Sequence, residues 1–186
     1  MKPFLYLIIC FLLCSVSIFG QTEEGKDCSS AVNIQDKSTI SITIKNKSIG
    51  NKDDIAGGEG VSCFNKGEKF PYWFSFVANN SGSLEFFIEG SPNTDWDWVI
   101  FELNENCDQK KEMRCNAALN TECSETGAST SRKKAYSGCD DSNPWNEDIQ
   151  VSKGKTYIIL INCTDCRPGD GFDLNFGGNV IFHKGN

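Results

Sequence analysis

Two aspartates, Asp95 and Asp97, have the type and spacing of residues that act together. At positions i and i+2 of a strand, both carboxylates lie on one face and could supply oxygens to a hard cation such as Ca2+. Three further carboxylates are candidate ligands for the same ion: Glu59, Asp170 and Asp173. The pair could also serve a small hydrolase, since a retaining mechanism needs carboxyl groups about 5–5.5 Å apart. The alternative without a ligand is that Asp95 caps a turn and Asp97 accepts hydrogen bonds from backbone amides.

Tryptophan side chains form the second group of candidate binding residues. Trp145 lies in the polar, turn-forming segment 143–146, which favours a position at the surface. Trp96 lies between the two aspartates. A flat aromatic face among Asn and Asp side chains suits a sugar, because a sugar ring presents apolar C–H faces and polar edges. Both tryptophans are therefore candidate glycan contacts, and the alternative for each is a place in the hydrophobic core.

The amino-terminal residues predict export. Residues 1–20 continue from Lys2 as an apolar stretch, which predicts a secretory signal peptide cleaved after Gly20. No later segment approaches the roughly 18 apolar residues of a transmembrane helix. We therefore expect residues 21–186 to form a single domain in the periplasm, at the cell surface or outside the cell.

Ten cysteines in 186 residues are typical of an oxidising compartment. Eight remain after signal cleavage: Cys28, Cys63, Cys107, Cys115, Cys123, Cys139, Cys163 and Cys166. Their even number predicts four disulfides, and the sequence leaves the connectivity open. Cys163 and Cys166 form a CxxC motif, but a structural zinc site would need a second such pair or two histidines. We therefore expect disulfides rather than a metal at these positions.

Charge and histidine content disfavour other function classes. The formal net charge is −7, whereas nucleic-acid binding depends on a basic surface. The single histidine, His183, lies three residues from the end of the chain, where chains usually fray, so His-based catalysis is disfavoured. Hydrophobic residues make up 39% of the chain, which is enough for a packed core.

Short strands separated by turn residues dominate the chain after the signal peptide. Apolar–polar alternation and dense aromatic runs predict strands at 39–49, 70–77, 83–89, 96–103, 149–151, 157–162, 172–176 and 180–182. We expect 157–162 and 172–176 to pair around the Pro/Gly loop between them. The pattern predicts an all-β, antiparallel β-sandwich.

The segment 107–146 breaks this pattern, because it contains four cysteines and many Ser, Thr and Asn residues with little periodicity. A loop of that length in a compact domain needs something to order it. Two local disulfides would do so, for example Cys107–Cys115 and Cys123–Cys139. We also expect a short helical turn at 116–120 and a solvated basic run at 132–134.

Several short motifs follow one another along nearly all of residues 21–186. They include Cys28-Ser29-Ser30-Ala31, Tyr72-Trp73-Phe74-Ser75-Phe76, Gly82-Ser83-Leu84-Glu85-Phe86, Asp95-Trp96-Asp97-Trp98-Val99-Ile100-Phe101, Gly154-Lys155-Thr156-Tyr157 and Gly171-Phe172-Asp173-Leu174-Asn175-Phe176-Gly177. In this order they resemble the CUB-like and pre-peptidase C-terminal-like jelly-roll modules of exported Bacteroidota surface proteins. The resemblance implies a β-sandwich with an acidic, calcium-binding cluster at one end.

Residues and resemblance together predict a non-catalytic, secreted or surface-associated binding module. We expect its ligand to be a glycan or a partner protein, with calcium ordering the loops at one end. One alternative is a structural or accessory subunit of a surface adhesion or secretion apparatus. A second alternative is the small carboxylate-dependent hydrolase. We expect neither a nucleic-acid partner nor a membrane-spanning segment.

Overall fold

The computed structural model describes residues 24–46, 50, 54, 55, 63, 69–139 and 142–183, and these form an all-β sandwich. The strands are β1 (Val32–Asn33), β2 (Ile40–Thr43), β3 (Pro71–Val77), β4 (Gly82–Gly90), β5 (Trp96–Leu103), β6 (Lys110–Asn116), β7 (Glu125–Ala128), β8 (Trp145–Asn146), β9 (Ile149–Val151), β10 (Thr156–Cys163) and β11 (Gly171–Gly178). Helix α1 (Thr130–Ala135) lies between β7 and β8, and 3-10 turns occupy Cys28–Ser30 and Cys107–Gln109. None of the helices in these residues combines the length and the hydrophobicity that spanning a bilayer requires. The predicted signal peptide and Glu59 lie outside the described residues.

The strands form two sheets that pack face to face. Sheet A has the order β1-β3-β10-β5-β6, and sheet B has the order β2-β11-β4-β7-β8 with β9 also paired to β4. The pairing is antiparallel except for β1 with β3 and β7 with β8. The expected pairing of β10 with β11 is wrong, because the two strands belong to different sheets. The Pro/Gly segment between them carries the chain from one layer to the other.

Side chains between the sheets form the main core, as the two-residue period of the strands requires. Leu84, Phe86 and Ile88 alternate along β4, and all three are fully buried. The Phe86 ring meets Trp98 of β5 edge to face, with ring centroids 4.8 Å apart. The Trp98 indole N–H donates to Thr126 Oγ1 at 3.0 Å, so its polar atom is satisfied inside the core.

A second, smaller core covers the outer face of sheet A. It contains Cys28, Ile55, Trp73, Val99, Phe101, Ile158 and Leu160. Strands β3, β5 and β10 are therefore buried on both faces, as the dense apolar run at 70–77 predicts for β3. Cys28 and Ile55, which precede β3, lie against this face. At the edge of the sheet, Trp73 N donates to Gly25 O at 2.7 Å.

All eight cysteines form disulfides, which confirms the prediction of four bridges. The pairs are Cys28–Cys107, Cys63–Cys115, Cys123–Cys139 and Cys163–Cys166. The local pairing Cys123–Cys139 is confirmed, whereas Cys107–Cys115 is wrong. Cys28 and Cys63 both precede β3. Cys28 is bonded to Cys107, just before β6, and Cys63 is bonded to Cys115, near the end of β6 at the edge of sheet A. These two bridges hold the amino-terminal cover of the second core in place.

The segment 107–146 is more regular than its sequence indicates, because β6, β7, α1 and β8 all lie in it. The expected helical turn at 116–120 is absent from the structure there. Instead, the Asn116 side chain accepts a hydrogen bond from Ala118 N at 2.9 Å, which fixes a non-helical turn. The helix forms later, where Ser129 accepts from Arg132 N as its N-cap.

Candidate functional site

A cavity of about 460 Å3 lies where α1 packs beside β7 and β8. It is lined by Cys123, Glu125, Arg132, Ala135, Tyr136, Ser137, Cys139 and Trp145. Its volume is within the range of about 300–1,000 Å3 that is typical of small-ligand sites. The lining combines aromatic rings, a guanidinium and a carboxylate, which is the mixture that a polar ligand with apolar faces requires.

Helix α1 is fixed at its first turn from two sides. Ser129 Oγ accepts a hydrogen bond from Arg132 N at 3.5 Å. Thr130 N donates to the Asp148 carboxylate at 2.6 Å, and Asp148 N donates to Thr130 Oγ1 at 3.2 Å. The Cys123–Cys139 disulfide ties the chain after α1 to the chain before β7. Helix α1, which forms one wall of the cavity, is therefore anchored to sheet B at both ends.

Arg132 is held over two aromatic rings at the edge of the cavity. Its guanidinium carbon lies 4.4 Å from the Phe87 ring centroid and 4.9 Å from that of Trp145. The guanidinium nitrogens lie 3.1 Å from the Glu125 carboxylate and 3.6 Å from that of Glu89. These contacts orient a planar cation whose side chain is still 37% exposed. Arg132 is thus a fixed hydrogen-bond donor with solvent access.

Trp145 is only 5% exposed, so the expectation that it lies at the surface is wrong. The parallel pairing of β8 with β7 places it beside Gly127. A Cβ at Gly127 would clash with the Phe86 carbonyl oxygen and lie 3.1 Å from Trp145 Cζ3, and its φ is +152°. Because the glycine leaves this space, the indole packs against Phe87 beneath Arg132. Trp145 therefore forms part of the cavity wall as a largely covered ring.

Trp96, the second candidate glycan contact, is fully buried, so its expected role at the surface is also wrong. Its side chain lies between the sheets, with the ring centroid 4.7 Å from that of Phe172. The indole N–H donates to Thr94 Oγ1 at 2.7 Å. The Asn120 side chain accepts from Trp96 N at 3.1 Å and donates to Trp96 O at 2.7 Å. Trp96 consequently joins the core to the loop before β7.

Tyr136 supplies the half-buried aromatic ring of the cavity, immediately after α1. Its hydroxyl donates to Ser142 O at 3.0 Å. Neither Tyr136 nor Arg132 stands in a recognisable motif, and a basic run such as 132–134 is typical of a solvated face. That expectation is confirmed for Lys133 and Lys134, which are exposed, and is wrong for Arg132. Only the folding of α1 onto β7 and β8 brings these side chains together.

The aspartates proposed as calcium ligands have partners within the protein. One carboxylate oxygen of Asp95 accepts from Asn120 N and the other from Thr164 Oγ1, both at 3.1 Å. Asp97 is 7% exposed and lies on the outer face of sheet A, opposite Asn162 of β10. The contacts of Asp95 agree with the alternative in which it fixes a turn.

The other candidate ligands lie elsewhere. The Asp170 carboxylate accepts from Arg167 N at 2.7 Å, within the turn before β11. Asp173 is exposed on the outer face of sheet B, opposite Glu89. Asp97 and Asp173 are therefore on opposite outer faces of the sandwich. Among the residues that the structure describes, no group of three or more His, Cys, Asp or Glu is placed to hold a metal ion. Calcium binding stays a prediction.

No family model, curated protein or solved structure matches the chain. The resemblance to CUB-like and pre-peptidase C-terminal-like modules consequently stays a prediction. The sandwich itself is established by the strand pairing. The contacts around the α1 cavity are the observations that bear most directly on function.

Proposed function

We propose that the protein is an exported, non-catalytic module that binds a glycan in the cavity between α1 and β7–β8. The observation that carries this proposal is the fixed Arg132 guanidinium, which is paired with Glu125 and lines, together with Tyr136, a cavity of about 460 Å3. The four disulfides agree with an oxidising compartment. Export through the predicted signal peptide is part of the same proposal.

Each chemical group around the cavity has a counterpart on a sugar. Arg132 donates hydrogen bonds and Glu125 accepts them, so adjacent sugar hydroxyls can be bound both as acceptors and as donors. The ring of Tyr136 offers an apolar surface to the C–H face of a sugar. The disulfide and the cap of α1 hold these groups before a ligand arrives, which reduces the entropy lost on binding. The cavity therefore supports recognition of one or two sugar units.

The described surface favours a glycan over a protein as the ligand. Large protein interfaces usually contain an apolar patch at their centre. Large exposed hydrophobic side chains in this part of the chain are Leu119 and Ile181, 51% and 58% exposed, and they lie in separate loops. Isolated side chains of this kind are normal on a folded protein. The concave site with charged groups is the stronger candidate.

A glycan array tests the proposal with variants of the cavity. Arg132→Lys keeps the charge but loses the planar guanidinium, and Tyr136→Ala removes the half-buried ring. We expect the wild-type protein to bind at least one glycan class, and each variant to bind it at least tenfold more weakly. Lys134→Ala is the matched control, because Lys134 is exposed on α1 outside the cavity lining. It should bind like the wild type.

Two outcomes would contradict the proposal. One is that the folded wild-type protein binds no glycan, and the other is that neither cavity variant changes the binding. Far-UV circular dichroism confirms that each variant is folded before it is tested. The bound glycans are also incubated with the protein and examined for cleavage. Hydrolysis would contradict a non-catalytic role and favour the hydrolase alternative.

A further inference from the structure

The edge strands of the two sheets differ in their protection against pairing with another chain. At the edge of sheet A, β6 carries four charged residues among its seven and pairs with β5 through a bulge. Strands β1 and β8 are each two residues long. At the edge of sheet B, β2 is uncharged from residue 39 to residue 44. Strand β9, which pairs only with β4, is three residues long. Because charges, bulges and short length are the usual protections, β2, the longest uncharged edge among the described strands, is the edge most open to pairing.

The backbone of β2 is oriented for a further strand. Ile44 N donates to Asp170 O at 2.7 Å and Ile44 O accepts from Gly169 N at 2.8 Å, so both backbone groups of Ile44 face β11. In an antiparallel pair every second residue does the same, and Ile42 and Ile40 therefore also face β11. The N–H and C=O groups that point away from sheet B belong to Thr39, Ser41 and Thr43. Their side chains are exposed.

The sequence along the β2 edge is a palindrome. Residues 39–43 read Thr-Ile-Ser-Ile-Thr in either direction. We infer that β2 pairs antiparallel with β2 of a second copy of this chain, about a two-fold axis at Ser41. The register places Thr39 opposite Thr43 and Ile40 opposite Ile42. Every outward-facing backbone group of the segment then finds a partner, in roughly six hydrogen bonds.

The side chains agree with such a symmetric contact. A two-fold interface must be self-complementary, and a palindromic strand meets that condition. Pairs of threonines across an antiparallel contact are favourable. Ile40 and Ile42 are half-buried and pack against the core from the same face of β2, so each would be covered further by its counterpart. The contact would join the two copies of sheet B into one continuous sheet.

Pairing through β2 does not depend on glycan binding and is compatible with it. Strand β8 lies at the other edge of sheet B, so pairing through β2 leaves the α1 cavity open. A dimer would carry two such cavities and bind a repetitive surface more tightly than one copy does.

The contact is small, and its strength should depend on salt. Five residues per strand bury less than the roughly 1,200–2,000 Å2 of a stable interface, so we expect weak association. The register also places Lys45 of one copy opposite Lys37 of the other, where like charges repel. Salt screens that repulsion. The association constant should therefore rise severalfold between 50 mM and 500 mM NaCl.

Cysteine cross-linking tests the register. At a two-fold axis the two Ser41 Cα atoms would lie about 5.5 Å apart, within the range that a disulfide spans. The two Thr43 Cα atoms would lie about 14 Å apart, beyond that range. Under mild oxidation, Ser41→Cys should form a covalent dimer at least tenfold faster than Thr43→Cys. Equal rates for the two variants would overturn the proposed pairing.

Sedimentation equilibrium of the disulfide-bonded protein tests association without a cross-link. We expect a monomer–dimer equilibrium that Ser41→Lys weakens at least tenfold, because the axis brings the two lysines together. Gln150→Lys is the control, since it adds the same charge at an exposed position of β9 and should leave the equilibrium unchanged. Thermal melting checks that both variants are folded. A wild-type protein that stays monomeric up to about 1 mM, or a dimer unaffected by Ser41→Lys, would overturn the inference.

Discussion

Removing the Cys28–Cys107 disulfide should destabilise the protein much more than removing Cys163–Cys166. The first bridge joins residues 79 positions apart and the second joins residues three positions apart. A cross-link lowers the entropy of the unfolded chain by an amount that grows with the logarithm of the loop length. Each double alanine variant removes two sulfur atoms from largely covered positions: Cys28, Cys163 and Cys166 are buried and Cys107 is half-buried. The two variants therefore differ mainly in the length of the loop that is released.

The loop lengths set the expected magnitudes. The neighbouring Cys63–Cys115 bridge offers a shorter path from Cys28 to Cys107, so the effective loop is about 40 residues rather than 79. Loop closure then contributes about 4 kcal/mol for Cys28–Cys107 and about 1.6 kcal/mol for Cys163–Cys166. At roughly 2–4 °C per kcal/mol, the two losses lower Tm by about 8–16 °C and about 3–6 °C.

Thermal unfolding followed by circular dichroism, without reductant, measures the difference. The variants are Cys28→Ala/Cys107→Ala and Cys163→Ala/Cys166→Ala. Mass spectrometry after alkylation confirms that each variant retains its other three bridges. A Cys163/Cys166 variant that melts at or below the temperature of the Cys28/Cys107 variant would show that loop length does not set the stabilisation by these bridges.

Three further substitutions test the packing around the loops and the core. Asn120→Ala should lower the free energy of unfolding, measured by urea denaturation, by about 2–3 kcal/mol, because the buried Asn120 amide is hydrogen-bonded to both Trp96 N and Trp96 O. A loss below about 0.5 kcal/mol would contradict this role. Gly127→Ala should cost at least about 3 kcal/mol because its Cβ would meet the backbone of β4. Gly154→Ala is its control, with a φ of +78° and open space around it, and should cost only about 1–2 kcal/mol; equal losses would show that steric contact at Gly127 is unimportant. Phe86→Ala should cost about 3–5 kcal/mol by opening a cavity between the sheets, and urea unfolding that shows a loss under 1 kcal/mol would contradict the assigned core.

The sandwich could be predicted because strand periodicity is a local property. The alternation at 83–89 and the apolar run at 96–103 directly report the burial of β4 and β5. The assignment of each strand to one of the two sheets, in contrast, depends on contacts between residues that are distant in the sequence. A Pro/Gly loop follows β10 whether the next strand pairs with it or crosses to the other layer, and here it crosses.

The disulfides and the site show the same limit. Eight cysteines predict four bridges. However, Cys107 and Cys115 pair with cysteines that precede β3, and the spacing between Cys107 and Cys115 does not indicate these distant partners. Trp145 has polar neighbours in sequence, yet the folding of α1 places Arg132 over its ring. Polar neighbours in the sequence indicate that the backbone around Trp145 is near the surface. The exposure of its indole depends instead on the long Arg132 side chain, which comes from α1 and covers the ring.

NMR titration shows whether a glycan binds in the α1 cavity. The four tryptophan indole N–H signals are assigned and followed while the best glycan from the array is added. Trp145 lines the cavity, whereas the indole N–H groups of Trp96 and Trp98 are bonded inside the core. We expect a saturable shift of the Trp145 signal, with the Trp96 and Trp98 signals unchanged. Binding that leaves the Trp145 signal in place and shifts signals elsewhere would locate the glycan outside the α1 cavity and overturn the proposed function.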